Sequence, residues 1–283
     1  MFRWKRTKKR RDNERNRFGS AHLVGASEME AAGLFDQQPH SIFLGFFDGR
    51  PVYYSGPGGM CVTAGARAGK MRDWLAYNLL TGCCLHTLVM LDPKGEGAFI
   101  SQDQTADGKF CGYWNPRGLH GLPRDALNPV DYLTIDSPSL VSDMKTLWES
   151  LIPMSGSEAG KYFEARARTY GEAIALTCVK LRGVLMLPDL FEAVNLIPGG
   201  GEDWLDFAYA MKASGFPIAA AVEAEIAAGR DNPTGGFQGI LGELLKALSC
   251  LSDPVLMDSV SPPFTFSMAD TVSSDQAWQI YLM

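Results

Sequence analysis

The sequence is poor in metal- and disulfide-forming residues, with six cysteines and four histidines among 283 residues. Cys83 and Cys84 are adjacent and no CxxC pair occurs, which excludes both a disulfide scaffold and a zinc-finger spacing. The pattern points to a reducing, cytosolic setting with most thiols as small core residues. Long apolar runs are missing too. None reaches the roughly 18–20 residues of a membrane span, because the longest candidates are broken by His86, by Lys180 and Arg182, or by Glu223 and Glu225. The basic N-terminus leads into no apolar segment, so a secretory signal is not expected. There is no internal repeat and no Asp-Glu dipeptide.

What is present is ordinary globular composition, 46% apolar and 20% charged, in a chain long enough for one large or two modest domains. The net charge of -6 is unevenly spread. Residues 1–17 hold nine Lys/Arg and two Asp/Glu, whereas the remainder holds 17 basic and 30 acidic residues. Residues 1–18 therefore read as a basic arm: either a solvated tail, or a contact for anionic lipid or nucleic acid, with Phe2 and Trp4 placed for a headgroup region. The acidic body argues against a broad phosphate-binding face, and its scattered basic residues read as solvated surface.

Along the chain, Ser27 to Leu34 predicts a short helix, capped by Ser27 with Glu30 three residues on and closed by Gly33. Ser41 to Phe47 and Pro51 to Tyr54 predict strands around an Asp48-Gly49 turn. Met60 to Thr63 predicts a short strand, residues 71–80 a helix and Thr87 to Leu91 a buried strand, a βαβ order that implies a parallel sheet. From Ser139 to about Leu251 the periodicity is helical, with breaks at Pro188, at Pro198 to Gly201 and at Asn232-Pro233. Strand character returns from Phe264 to Met283, ending at Trp278 to Met283, which predicts an unpaired apolar edge or an incomplete sheet there.

The main chemical signal lies between strand and helix, at Ala64, Gly65, Ala66, Arg67, Ala68, Gly69, Lys70 and Met71. A phosphate loop reads G-x-x-x-x-G-K-[ST]. Here Gly69-Lys70 is intact, Ala64 replaces the first glycine, and Met71 replaces the hydroxyl residue. Backbone N–H groups at a helix start and the Lys70 ammonium suit phosphate oxygens. The soft thioether of Met71 cannot replace a hydroxyl ligand for hard Mg²⁺. Asp92 ends the following strand, on the sheet edge where α/β folds bind ligands; it also reads simply as the start of a turn before Pro93.

In order along the chain, these segments resemble the type IV secretion coupling proteins, the TraG/TraD-type conjugative DNA-transfer ATPases. Phe18-Gly19-Ser20-Ala21-His22 with Glu30-Ala31-Ala32-Gly33-Leu34 is similar to that family's opening segment. Ala64 to Lys70 resembles its phosphate loop, with Ala68 in place of Ser. Asn78-Leu79-Leu80-Thr81 resembles its helix end, and Leu91-Asp92-Pro93-Lys94-Gly95-Glu96 is the most specific match. Trp114-Asn115-Pro116 and Asn128-Pro129-Val130-Asp131 resemble its paired Asn-Pro elements.

The resemblance implies a P-loop (RecA-like) α/β core with a parallel sheet, incomplete at the C-terminus, and an all-α insertion domain. The corresponding domains are the basic arm 1–18, the first part of the nucleotide-binding core 19–138, the all-α domain 139–252, and a return to the core at 253–283. It implies ATP and Mg²⁺ as cofactors, with residues 64–71 holding nucleotide and Lys70 and Asp92 as catalytic residues. DNA or protein cargo (a relaxosome or an effector), channel components of the secretion system, further copies of the chain, and an anionic membrane surface touched by residues 1–17 are the implied partners. The implied location is the cytoplasmic face of a bacterial inner membrane. The family carries membrane spans before its opening segment and a Walker B strand ending in Asp-Glu downstream. Neither is present here, so the chain is expected to correspond to the N-terminal half of a coupling protein. It is then a nucleotide-binding receptor or motor, or else a non-catalytic adaptor or shortened homologue with a degenerate phosphate loop. As family-type turnover needs the missing carboxylate pair, whether this chain alone hydrolyses ATP is left open.

Overall fold

The computed structural model describes residues 22–39, 41–81, 87–102, 108–231, 235–273 and 275–283; the basic arm lies outside them. The chain divides into two compact units, 1–85 and 86–283.

The first unit opens with α1, Ala26–Ala31, one residue earlier than expected. The cause is the capping pair: Gly25 N donates to Glu28 Oε2 at 3.1 Å, and this bond holds the Glu28 carboxyl below its usual range. Strands β1, Ile42–Phe47, and β2, Arg50–Tyr54, form the expected antiparallel hairpin. Asp48 and Gly49 both take positive φ, 48° and 76°, as a two-residue turn between right-twisted strands requires. The register slips between Phe43 and Gly45, and the helix that follows the candidate loop repairs the gap. Phe43 N donates to Asn78 Oδ1 at 2.8 Å, while Asn78 Nδ2 donates to Phe43 O at 3.1 Å. Both backbone groups at the bulge are thus satisfied by one side chain of α2, Ala76–Leu80. Tyr77 of the same helix stacks on Phe43 with ring centroids 3.7 Å apart.

The second unit is built on a parallel sheet of β3, Leu88–Leu91, β4, Phe110–Trp114, and β5, Trp278–Leu282, in the order β3-β5-β4. The expected parallel α/β core is present. The C-terminal segment is not an apolar edge, as one sequence expectation had it; it is the middle strand, paired on both sides. Its side chains alternate between two small cores. Trp278 and Ile280 join Leu127 and Phe266, while Tyr281 joins Ala98, Cys111, Tyr113 and Leu122. Burial on both faces is the normal state of parallel sheets, and it raises the Tyr281 hydroxyl to about 12.

Between β4 and β5 lies the helical insertion: α4, Leu140–Leu151; α5, Glu158–Arg182; α6, Leu187–Gly199; α7, Glu202–Ala213; α8, Pro217–Asp231; and α9, Gly235–Ala247. Two short helices, α10, Pro254–Ser259, and α11, Met268–Ser273, lead back to the sheet. The axis of the insertion is α5. Ser157 Oγ accepts from Gly160 N at its start and Gly183 closes it at φ 85°. Residues 173–176 and 179 are all buried, the signature of a helix surrounded on every side, and α4, α6, α7, α8 and α9 pack against it. Trp148 of α4 lies flat on Gly171, where a Cβ would collide with the indole.

The chain leaves and re-enters the sheet at one place. Thr265 N donates to Ala126 O at 2.8 Å, and Leu127 N donates to Ser259 O at 3.1 Å. Asp131 Oδ2 accepts from Ser267 Oγ and Met268 N, and Trp114 Nε1 donates to Ser259 Oγ at 3.0 Å. Among the described residues, no helix is long and apolar enough to cross a membrane.

Candidate phosphate loop and strand-end turn

The expected site falls into two parts, residues 64–71 in the first unit and Asp92 in the second. The strand expected at Met60 to Thr63 is not formed. That stretch is exposed and without regular structure, Met60 at 38% and Val62 at 44%. Four residues flanked by Gly56, Gly58, Gly59 and Gly65 pay a high backbone entropy cost, and no described strand pairs with them.

The loop itself is a tight coil. Ala68 N donates to Gly65 O at 3.3 Å, Arg67 takes a positive φ of 62°, and Gly69 sits in the left-handed region at φ 83°. Gly69 then leads into a π-helical turn, Lys70–Leu75, that continues into α2. Lys70 Nζ donates to Ala64 O at 2.6 Å and to Gly65 O at 2.8 Å, so its ammonium lies inside the curve of the loop. No carboxylate among the described residues pairs with Lys70. Its partners are neutral carbonyls, and its charge stays available to an anion.

One neighbour carries no sequence signal. The Asp73 carboxylate stands over Gly69, where a Cβ would collide with it, and Arg72 grips it through Nε at 2.5 Å and Nη2 at 2.9 Å. That grip lowers the Asp73 carboxyl and raises the Arg72 guanidinium. The glycine at 69 is therefore required twice, by φ and by Asp73. The fit to a nucleotide is uneven. Lys70 and the loop suit phosphate, but Met71 offers no hard oxygen, and no cluster of metal-holding side chains occurs among the described residues.

In the second unit, residues 92–95 form a hydrogen-bonded β-turn, with Asp92 at the first position, Pro93 at the second and Gly95 at the fourth. Gly95 N donates to Asp92 O at 2.8 Å. The Asp92 side chain, 4% exposed, turns inward, and its Oδ2 accepts from Ala98 N at 2.9 Å at the head of α3, Glu96–Ile100. The turn-starting reading of Asp92 is thus realised, with its carboxylate as a helix cap. Gly95, at φ 68°, lies beneath His120 and Met283: a Cβ there would be 2.9 Å from His120 Cδ2 and 3.1 Å from Met283 Sδ. His120 Nε2 also pairs with Lys94 O at 2.8 Å. The sequence singled out Leu91 to Glu96 as a motif; the anchoring by His120 had no local signal, because 26 residues separate the partners.

The two Asn-Pro elements are structural ties. Asn115, fully buried, closes the 115–122 loop through Leu119 and Leu122. Asn128 Nδ2 donates to Leu185 O at 2.8 Å, joining the sheet's exit to the end of α5.

The family model described as "Type IV secretory system Conjugative DNA transfer" matches residues 16–283. Solved structures of the plasmid coupling protein TrwB are similar at low identity. With a non-hydrolysable ATP analogue the identity is 16%, the TM-score 0.45, and coverage 76% of this chain and 45% of that one. For the unbound, N-terminally shortened TrwB the values are 16%, 0.44, 75% and 43%. For TrwB with ADP and Mg²⁺ they are 14%, 0.38, 92% and 54%. The chain thus spans about half the length of the TrwB chains it matches. No curated protein sequence matches it.

Proposed function

This chain belongs to the type IV secretory system conjugative DNA transfer family, and on that premise we propose that it is the nucleotide-binding part of a coupling protein, whose helical insertion faces protein or nucleoprotein cargo. The observation that carries the nucleotide reading is Lys70. Its ammonium is held by the loop carbonyls of Ala64 and Gly65 at a helix entrance, stays exposed to solvent, and among the described residues pairs with no carboxylate. A phosphate would exchange those neutral acceptors for charged ones. ATP is the proposed ligand, and Mg²⁺ would arrive carried by the phosphates and water, since position 71 gives it nothing.

Met71 also favours the second reading, an adaptor that binds nucleotide without turning it over. One titration separates the readings from error. A fluorescent ATP analogue is added to the wild-type chain and to Lys70→Ala. Loss of a charge-assisted bond of about 1.5–3 kcal/mol should weaken binding roughly 10- to 100-fold. Equal binding by both proteins would remove Lys70 from the site. Phosphate release then decides turnover. Asp92→Asn keeps an oxygen for the Ala98 N–H, so it should abolish any Lys70-dependent hydrolysis without unfolding the turn; undiminished hydrolysis would end Asp92's proposed catalytic role.

The proposed place of work is the cytoplasmic face of a bacterial inner membrane. The nine Lys/Arg of residues 1–17 support it, at about 1 kcal/mol each as an upper guide near an anionic leaflet. Channel components and further copies of the chain are the proposed partners.

A further inference from the structure

The helical insertion contains a cavity of about 510 Å³ bounded by α6, α7, α8 and α9. That size falls within the range of small-ligand sites. Trp204, Phe237 and Leu241 supply apolar walls. Three charged residues also line it, Glu223, Arg230 and Asp231, and they differ in what they have left to offer. Glu223 is buried and already compensated by Lys212 Nζ, 2.9 Å from Oε2. Asp231 is exposed, and water screens its charge.

Arg230 is the unbalanced group. It is half-buried, with its guanidinium 5.7 Å from the centre of the Trp204 ring. It also lies against Gly200, where any Cβ would collide with it. Among the described residues it has neither a hydrogen-bond acceptor nor a carboxylate partner. An indole ring accepts none of the guanidinium's N–H hydrogen bonds in the manner of an oxygen, so those donors remain for a ligand. A cation partly withdrawn from water with unused donors is complemented by an anion. The planar fork matches a carboxylate in two bonds.

We propose that this cavity binds a carboxylate carried on an apolar or aromatic body. Arg230 holds the carboxylate, and Trp204 and Phe237 enclose the body. A free organic acid and the C-terminal residue of a polypeptide share this chemistry.

The test uses the full chain with its tryptophans ¹⁵N-labelled, the Trp204 indole signal being assigned by its loss in Trp204→Phe. The probes are N-acetylphenylalanine, its amide, a tripeptide ending in phenylalanine with a free carboxylate, and inorganic phosphate. Saturable shifts of the Trp204 signal are expected with the two carboxylate probes. At least tenfold weaker binding is expected for the amide and for Arg230→Gln, with Arg230→Lys intermediate. Tighter binding of the tripeptide identifies a chain terminus as the source, and tighter binding of the small acid identifies a metabolite. Equal binding of acid and amide, phosphate binding as tight as the acid, or no saturable shift overturns the proposal. The acid–amide comparison is made on the unsubstituted chain, so it decides the matter even if Arg230→Gln fails to fold.

Discussion

At the scale of single residues, Glu172 is a carboxylate whose charge is governed by burial more than by pairing. Glu172 of α5 is 9% exposed. Burial pushes its carboxyl above the usual range, and Lys145 pulls weakly the other way. The folded chain therefore holds this proton more tightly than the unfolded one. The cost of the buried charge is absent at low pH, grows as pH rises from the ordinary carboxylate range through the raised folded value, and is constant above it. Glu172→Gln is expected to melt at a higher temperature than wild type at pH 7, with the gap closing as pH falls towards 4. Melting curves across that range check it; a gap that does not change with pH would mean that charge burial is not the cause. Residue roles were only partly readable in advance. The intact Gly69-Lys70 pair announced a tight turn into a helix, and Asp92 before Pro93 announced a turn. That Asp73 stands over Gly69, or that Asn78 completes a strand bulge, depends on contacts no local pattern encodes.

At the scale of elements, periodicity carried most of the information. The Asp48-Gly49 hairpin and the helices between 140 and 247 follow from their patterns of apolar spacing and turn residues. The strand expected at Met60 to Thr63 failed because four apolar-leaning residues specify a strand only when a partner is available, and partners are a tertiary matter. The same dependence governs β5. It supplies hydrogen bonds to both β3 and β4, which have no pairing with each other. Removing residues 278–283 should therefore release both neighbours while α4 to α9, with their own core, stay folded. Amide hydrogen exchange provides the measurement. Protection is expected to vanish at residues 88–91 and 110–114 and to persist in α5. Continued protection of β3 would show that the sheet does not rest on its central strand.

At the scale of the whole molecule, the uneven charge of the chain predicts salt-sensitive behaviour. Residues 1–17 are strongly basic and the body acidic. The full chain should co-sediment with anionic but not neutral vesicles, and a chain starting at Phe18 should not; salt should weaken the interaction. Equal sedimentation of both chains would rule out the arm as a membrane contact. The α/β class and the helical interruption were legible from the alternation of patterns along the chain. The strand order was not, because β5 reaches its place only after residues 115–277 have been traversed, and nothing in its own composition marks it as central.

The bonds between Ala126 and Thr265, and between Leu127 and Ser259, have an evolutionary consequence. They pinch together the two ends of some 130 intervening residues, so the sheet meets the insertion as a closed loop with a short mouth. Inside that mouth, helices can lengthen, exchange surface charge or remodel a cavity without disturbing the alignment of β3, β4 and β5. Lineages sharing this layout are free to diverge rapidly in the insertion while conserving the few residues that form the mouth. An alignment of relatives should then show slow change at 126–131 and 259–268, and fast change on the outward faces of α7 and α8.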